Sequence, residues 1–130
     1  MDHPSAPIAT ETDQDFDAVL ARLPDLLKQE GFGVITEIDL QKTFGEKLGV
    51  TFRRYRILGA CNPGFAHRAV AEHPDAGVML PCNVVVYERE GGGTRVVAVD
   101  PMERLASSEH DLADVGAEVR ARLEKVVRAI

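Results

Sequence analysis

Apolar positions along this chain switch repeatedly between helical and strand-like spacing, and the switches mark out its elements. Phe16, Val19, Leu20, Leu23, Leu26 and Leu27 recur three and four apart, which predicts a helix with one face turned to a core. Asp15 stands where its carboxylate can accept from the first free amides, and Gly31 is placed to close the far end. Pro24 falls inside the pattern; it deletes one backbone hydrogen bond and is expected to kink the helix rather than end it. Ahead of the helix, Ile8, Thr10 and Thr12 alternate weakly, as either a first short strand or a frayed end within residues 1–12.

Gly33 to Asp39 reads as a strand, with Val34, Thr36 and Ile38 on one face and Ile35, Glu37 and Asp39 on the other. Asp39 is placed to cap a short helix whose Leu40, Phe44 and Leu48 share a face; Gly45 weakens it by ~1 kcal/mol and Gly49 ends it. A strand from about Phe52 to Ala60 follows. Tyr55, Ile57, Gly59 and Cys61 fall on one side of it; Phe52, Arg54, Arg56, Leu58 and Ala60 form a mixed side expected to be partly buried. Asn62-Pro63 signals a helix start, carried on by Phe65, Ala66, Ala69 and Val70 until His73-Pro74 stops it.

Val78 to Glu88 is the strongest strand signal, β-branched at Val84, Val85 and Val86 and apolar on both faces, so a central position is expected. Pro81 cannot donate to a ladder, so regular pairing should begin at Cys82 or pass through a bulge. Gly91-Gly92-Gly93 makes a loose hairpin turn into Thr94 to Val99, ended by Asp100-Pro101. Ser107 to Asp111 reads as a loop. Leu112, Val115, Val119, Leu123, Val126, Val127 and Ile130 then form a last amphipathic helix. The order β-α-β-α-β-α-β-β-α predicts an α+β fold, its long helices packed on one face of a largely antiparallel sheet.

Composition narrows the range of functions. With 130 residues, 45% of them hydrophobic and 28% charged, the chain reads as a single globular domain over 1–130. Its formal charge of -6 argues against nucleic-acid binding, which needs a basic footprint. No apolar run reaches the length of a membrane span, and the start lacks the pattern of a secretory signal. Two cysteines in such a chain point to a cytoplasmic protein with reduced thiols.

Three matching runs carry a resemblance: Glu30 to Asp39, Arg54 to Pro63 (Arg-Tyr-Arg-Ile-Leu-Gly-Ala-Cys-Asn-Pro) and Leu80 to Tyr87 (Leu-Pro-Cys-Asn-Val-Val-Val-Tyr), with His67-Arg68-Ala69 between. In these the chain, from about Asp15 onward, resembles the uncharacterised "domain of unknown function 302" family. The resemblance implies a curved sheet gripped by helices, of the TATA-binding-protein-like type, often as a homodimer. It implies no biochemical activity.

Candidate chemistry collects at the two Cys-Asn pairs. Cys61 precedes a helix start, where unpaired amides favour a thiolate; the bland reading is a small buried residue at a tight turn. Cys82 opens the central strand, and the two thiols, if they meet, can form a disulfide or hold a soft ion such as Cu(I) or zinc. The spacing is no recognisable metal motif, and two unrelated buried cysteines are the alternative. His67 offers a third ligand or a base for Cys61, or is an ordinary helix residue. Asn62 and Asn83 suit capping or backbone hydrogen bonds. Arg54 and Arg56 share a strand face, able to clamp an anion beside Tyr55 or to pair across strands with Glu37 or Glu88. Glu37 and Asp39 are candidates for acid–base work or simple solvated acids. The functions in view are a small-ligand or soft-metal binding module at Cys61 and Cys82, a structural or homodimeric adaptor, and a thiol enzyme using Cys61.

Overall fold

The computed structural model describes residues 8–101 and 113–130. Five strands form one antiparallel sheet in the order β1-β5-β4-β3-β2: β1 Ile8–Thr12, β2 Gly33–Asp39, β3 Tyr55–Cys61, β4 Cys82–Glu88 and β5 Thr94–Ala98. Among the described residues the helices that connect or follow them are α1 Phe16–Gln29, α2 Leu40–Leu48, α3 Pro63–Glu72 and α4 Ala113–Arg128. The expected α+β class and element order hold. β4 is the central strand, as its two apolar faces required.

Local chemistry accounts for most boundaries. Asp15 accepts from the amide of Asp17 at 3.0 Å, Asp39 from Lys42 at 3.0 Å, and Asn62 from Phe65 at 3.4 Å with Pro63 opening the helix behind it. The α1 terminus is a Schellman turn: Phe32 N–H donates to Leu27 O and Gly31 N–H to Lys28 O, with Gly31 at φ +86°. Leu27 and Phe32, both buried, supply the apolar contact that accompanies such a turn. Pro24 lies within α1, which runs on past it.

Four boundaries or faces differ from expectation. A bulge at Ile35 shifts the β2 register, so Val34 pairs with Ala60 but Thr36 with Gly59 and Glu37 with Leu58. Thr36 and Ile38 therefore share a face, and Val34 joins Glu37 and Asp39 on the other. β3 starts at Tyr55 rather than Phe52, and Pro74–Met79 winds into a 3-10 turn where strand was expected from Val78; regular pairing begins at Cys82, as Pro81 required, after a cis Leu80-Pro81 bond. β5 stops at Ala98, one residue short. The mixed side of β3 is partly buried, as expected: Leu58 and Ala60 are sealed in the core, while Arg54 and Arg56 sit where the strand leaves it. The loop expected over Ser107 to Asp111, and Leu112, lie outside the described residues.

The core lies on one side of the sheet. Leu58, Val84, Val86, Val96 and Ala98 meet Phe16, Val19, Leu23 and Leu27 of α1 and Val115, Val119, Leu123, Val126 and Val127 of α4, with Ala69 of α3. Asp100 is buried within this side and its carboxylate lies 2.6 Å from Arg120 of α4. The other side of the sheet is built of the alternate residues. Register aligns Ile38, Ile57, Val85, Val97 and Ala9 in one row across all five strands. Among the described residues α2 and the segment after it border this face, through Phe52 on Tyr55. Ile38 remains 46% exposed there.

Candidate functional site

The two Cys-Asn junctions do converge. Where β3 ends and β4 begins, a small cavity is walled by Phe32, Ala60, Cys61, Asn62, Leu80 and Cys82, and roofed by Phe65, Ala66 and Ala69 of α3 with Val115 and Val119 of α4. The centre of a water-sized sphere can move through about 30 Å³ of it. That is room for a water or a single ion, well below the ~300 Å³ of a typical small-molecule pocket. The lining is almost wholly apolar apart from the two thiols and the Asn62 amide.

Strand parity sets how the thiols face one another. Ala60 is the direct partner of Cys82, and both point into the core. Cys61 is one residue on, so the pleat turns it toward the opposite side, where it is half-buried. Cys61 therefore borders the cavity at the strand end, and Cys82 borders it from the buried face. They are not joined in a disulfide.

Asn62 ties three elements together here. Its Oδ1 caps α3, and its Nδ2 lies over Gly31, where a β-carbon would stand only 2.9 Å away. Arg122 of α4 completes the corner: it donates to Glu30 O at 3.1 Å, pairs with Glu118, and lies 5.4 Å from the Phe65 ring centre. This guanidinium escaped the sequence reading because nothing in its helix spacing separates it from other surface arginines.

The remaining candidates stand elsewhere. His67 is exposed on α3, and among the described residues no hydrogen bond joins it to Cys61. The three-ligand set of Cys61, Cys82 and His67 is not assembled: no group of three histidine, cysteine or acidic side chains able to hold a metal occurs among the described residues. Asn83 is exposed on the open sheet face. Tyr55, on the same face, stacks on Tyr87 with ring centres 5.3 Å apart.

Both arginines take the cross-strand role. Arg56 pairs with Glu37 through Nη1 and with Asp39 at 3.4 Å, which also occupies the two β2 acids. Arg54 contacts Glu88 at 2.8 Å, Asp17 at 3.0 Å and Asp15 at 3.4 Å, while its guanidinium covers the Phe16 ring at 4.9 Å. The Arg54 side chain, and then its own backbone N–H, hold the Glu88 carboxyl below the usual carboxylate range; Arg54 is raised in turn, first by the Glu88 hydrogen bond. These arginines pin α1 and β2 to the sheet margin and leave no open anion clamp.

A one-sided antiparallel sheet, helices gripping its covered face and a thiol-lined cavity at two Cys-Asn junctions define a small α+β protein of one recurring type. The chain belongs to the family described as "Domain of unknown function DUF302", whose model matches residues 8–130. Its fold is similar to the crystal structure of the uncharacterized conserved protein DUF302 from Bacillus stearothermophilus, at 30% identity and a TM-score of 0.83, over 92% of this chain and 94% of that one. No curated protein matches the chain. No helix among the described residues is long and apolar enough to cross a membrane.

Proposed function

We propose that the protein is a homodimeric module whose uncovered sheet face is buried against a second copy. The observation that carries this reading is the row Ile38–Ile57–Val85–Val97–Ala9, one apolar side chain from each strand, lined up on the face no described long helix covers. Apolar surface left in water forfeits about 25 cal/mol per Å², and patches that cross a whole sheet mark interaction sites. Five strands at ~4.8 Å spacing and ~20 Å length give a footprint of ~500 Å² per copy, ~1,000 Å² for the pair, about the minimum for a specific interface.

Charge favours a second copy as the occupant. Each chain carries -6, so two copies repel except where charge is locally balanced. On the open face Glu11 is paired with Arg95 at 3.1 Å and with Arg89 at 3.4 Å, and the row beside them is uncharged. A self-complementary patch of this kind suits a two-fold axis. Sedimentation of the wild type and of Ile57→Lys and Val85→Lys tests the reading. The wild type should run at twice the monomer mass and the variants at monomer mass with native circular dichroism; a monomeric wild type would remove it.

A second reading, a soft-ion or small-ligand site, is supported by the two thiols bordering one cavity. The space suits an ion better than a molecule. Two thiolates are enough for Cu(I), whereas zinc needs three or four ligands. In the reducing cytoplasm expected from the sequence both thiols would be available. Cu(I) uptake measured against a competing chelator should be lost in Cys61→Ser and Cys82→Ser; uptake unchanged in both would eliminate this reading.

A further inference from the structure

We infer that α2 is a clasp that each copy lays against the other, an inference that rests on the face-to-face dimer proposed above. α2 has nine residues, caps at both ends, and no buried residue. A helix this short is marginal in water even with the best composition, and Gly45 weakens it further. Within its own chain it is held by the edge of Phe44 on Phe52, 5.0 Å between ring centres, and by Gln41 donating to Phe52 O at 3.0 Å. The apolar stripe does not stop at that contact. Leu48, at its end, is 69% exposed, and Val50 follows at 46%.

The exposure is concentrated. Ile35, Ile38, Leu48 and Val50 are four of the six exposed large hydrophobics among the described residues, and all lie between positions 35 and 50. This arm also borders the open face. Phe52 leans on Tyr55 at 6.1 Å, and Tyr55 stacks on Tyr87, both being open-face residues. Whatever covers the sheet therefore meets α2.

Size and charge point to the second copy. The sheet alone supplies ~500 Å² against the ~800 Å² per partner of an ordinary stable interface. A helix of nine residues, ~14 Å long and ~10 Å wide, adds ~140 Å² from each copy, and covers as much again on its partner. α2 carries Lys42 and Lys47 against a single Glu46, so it brings no net acid of its own to a second copy of a chain of net charge -6.

Hydrogen exchange on the full chain, above and below the dimer dissociation constant, tests the clasp without any mutation. Amides of Phe44 to Leu48 should exchange at least tenfold faster on dilution into monomer, while those of α1 hold steady. Leu48→Ser, exposed in the monomer and so harmless to folding, should raise the dissociation constant at least tenfold. If the protein dimerises but α2 protection ignores dilution and Leu48→Ser leaves the constant unchanged, the clasp is wrong and the face-to-face dimer stands. A wild type that stays monomeric at every concentration overturns both.

Discussion

The hydroxyl of Thr36 on β2 occupies the space above Gly59 on β3 where a β-carbon would otherwise stand, with Cγ of Pro81 2.9 Å from the same point. Glycine is required at this position by contact, not by backbone conformation. Gly59→Ala should lower stability by about 1–3 kcal/mol, the usual cost of overpacking a well-filled site. Thr36→Ala in the same chain should recover part of that loss, because one of the two crowding groups is gone. Urea unfolding of the wild type and of these two variants checks both statements.

Asn62 caps α3 and packs its amide on Gly31, so its loss acts on two elements at once. Asn62→Ala should cost about 1 kcal/mol, the typical value of a helix cap, and Asn62→Ser should cost less because serine also caps. Thermal unfolding of both variants beside the wild type makes the comparison.

The Arg54–Glu88 pair predicts the acid side of the stability curve. The Glu88 carboxyl titrates lower in the folded chain than in the unfolded one, because Arg54 bonds its charged form. Its contribution is therefore complete above the ordinary glutamate range and is lost as pH falls through the lowered folded value. Glu88→Gln should flatten the decline of stability below about pH 5, and the wild type and variant should converge at the lowest pH. Both side chains are a third or more exposed, so added salt should shrink the difference.

Much of this fold was legible because its boundaries are written in local chemistry. Asp15, Asp39 and Asn62 each cap the helix they precede, and Gly31 and Gly49 end theirs, whatever the rest of the chain does. Features that depend on a strand's partner were not legible. The bulge at Ile35 leaves no mark in Gly33 to Asp39, yet it decides which side Thr36 and Ile38 take. The crowding of Gly59 comes from residues 23 positions before it and 22 after it, so within its own strand it reads only as one more position on the side of Tyr55, Ile57 and Cys61.

The cysteines show the same limit. Their motifs announced that Cys61 and Cys82 stand at junctions, and the two do border one cavity. Their facing depends on the β3–β4 register, which pairs Cys82 with Ala60 and so sets Cys61 out of phase. The open sheet face had a readable signal that pointed elsewhere. β4 is apolar on both sides, which indicated a central strand; with the long helices among the described residues packed on one side, it equally indicates that the second side needs a cover.

The most direct measurement of the central claim is the molar mass of the wild-type chain in solution across micromolar concentrations, by sedimentation equilibrium. The account predicts a reversible dimer that Ile57→Lys converts to a folded monomer, because Ile57 sits inside the row joining all five strands. A mass that stays at one chain throughout, or a dimer that Ile57→Lys and Val85→Lys leave intact, would contradict it.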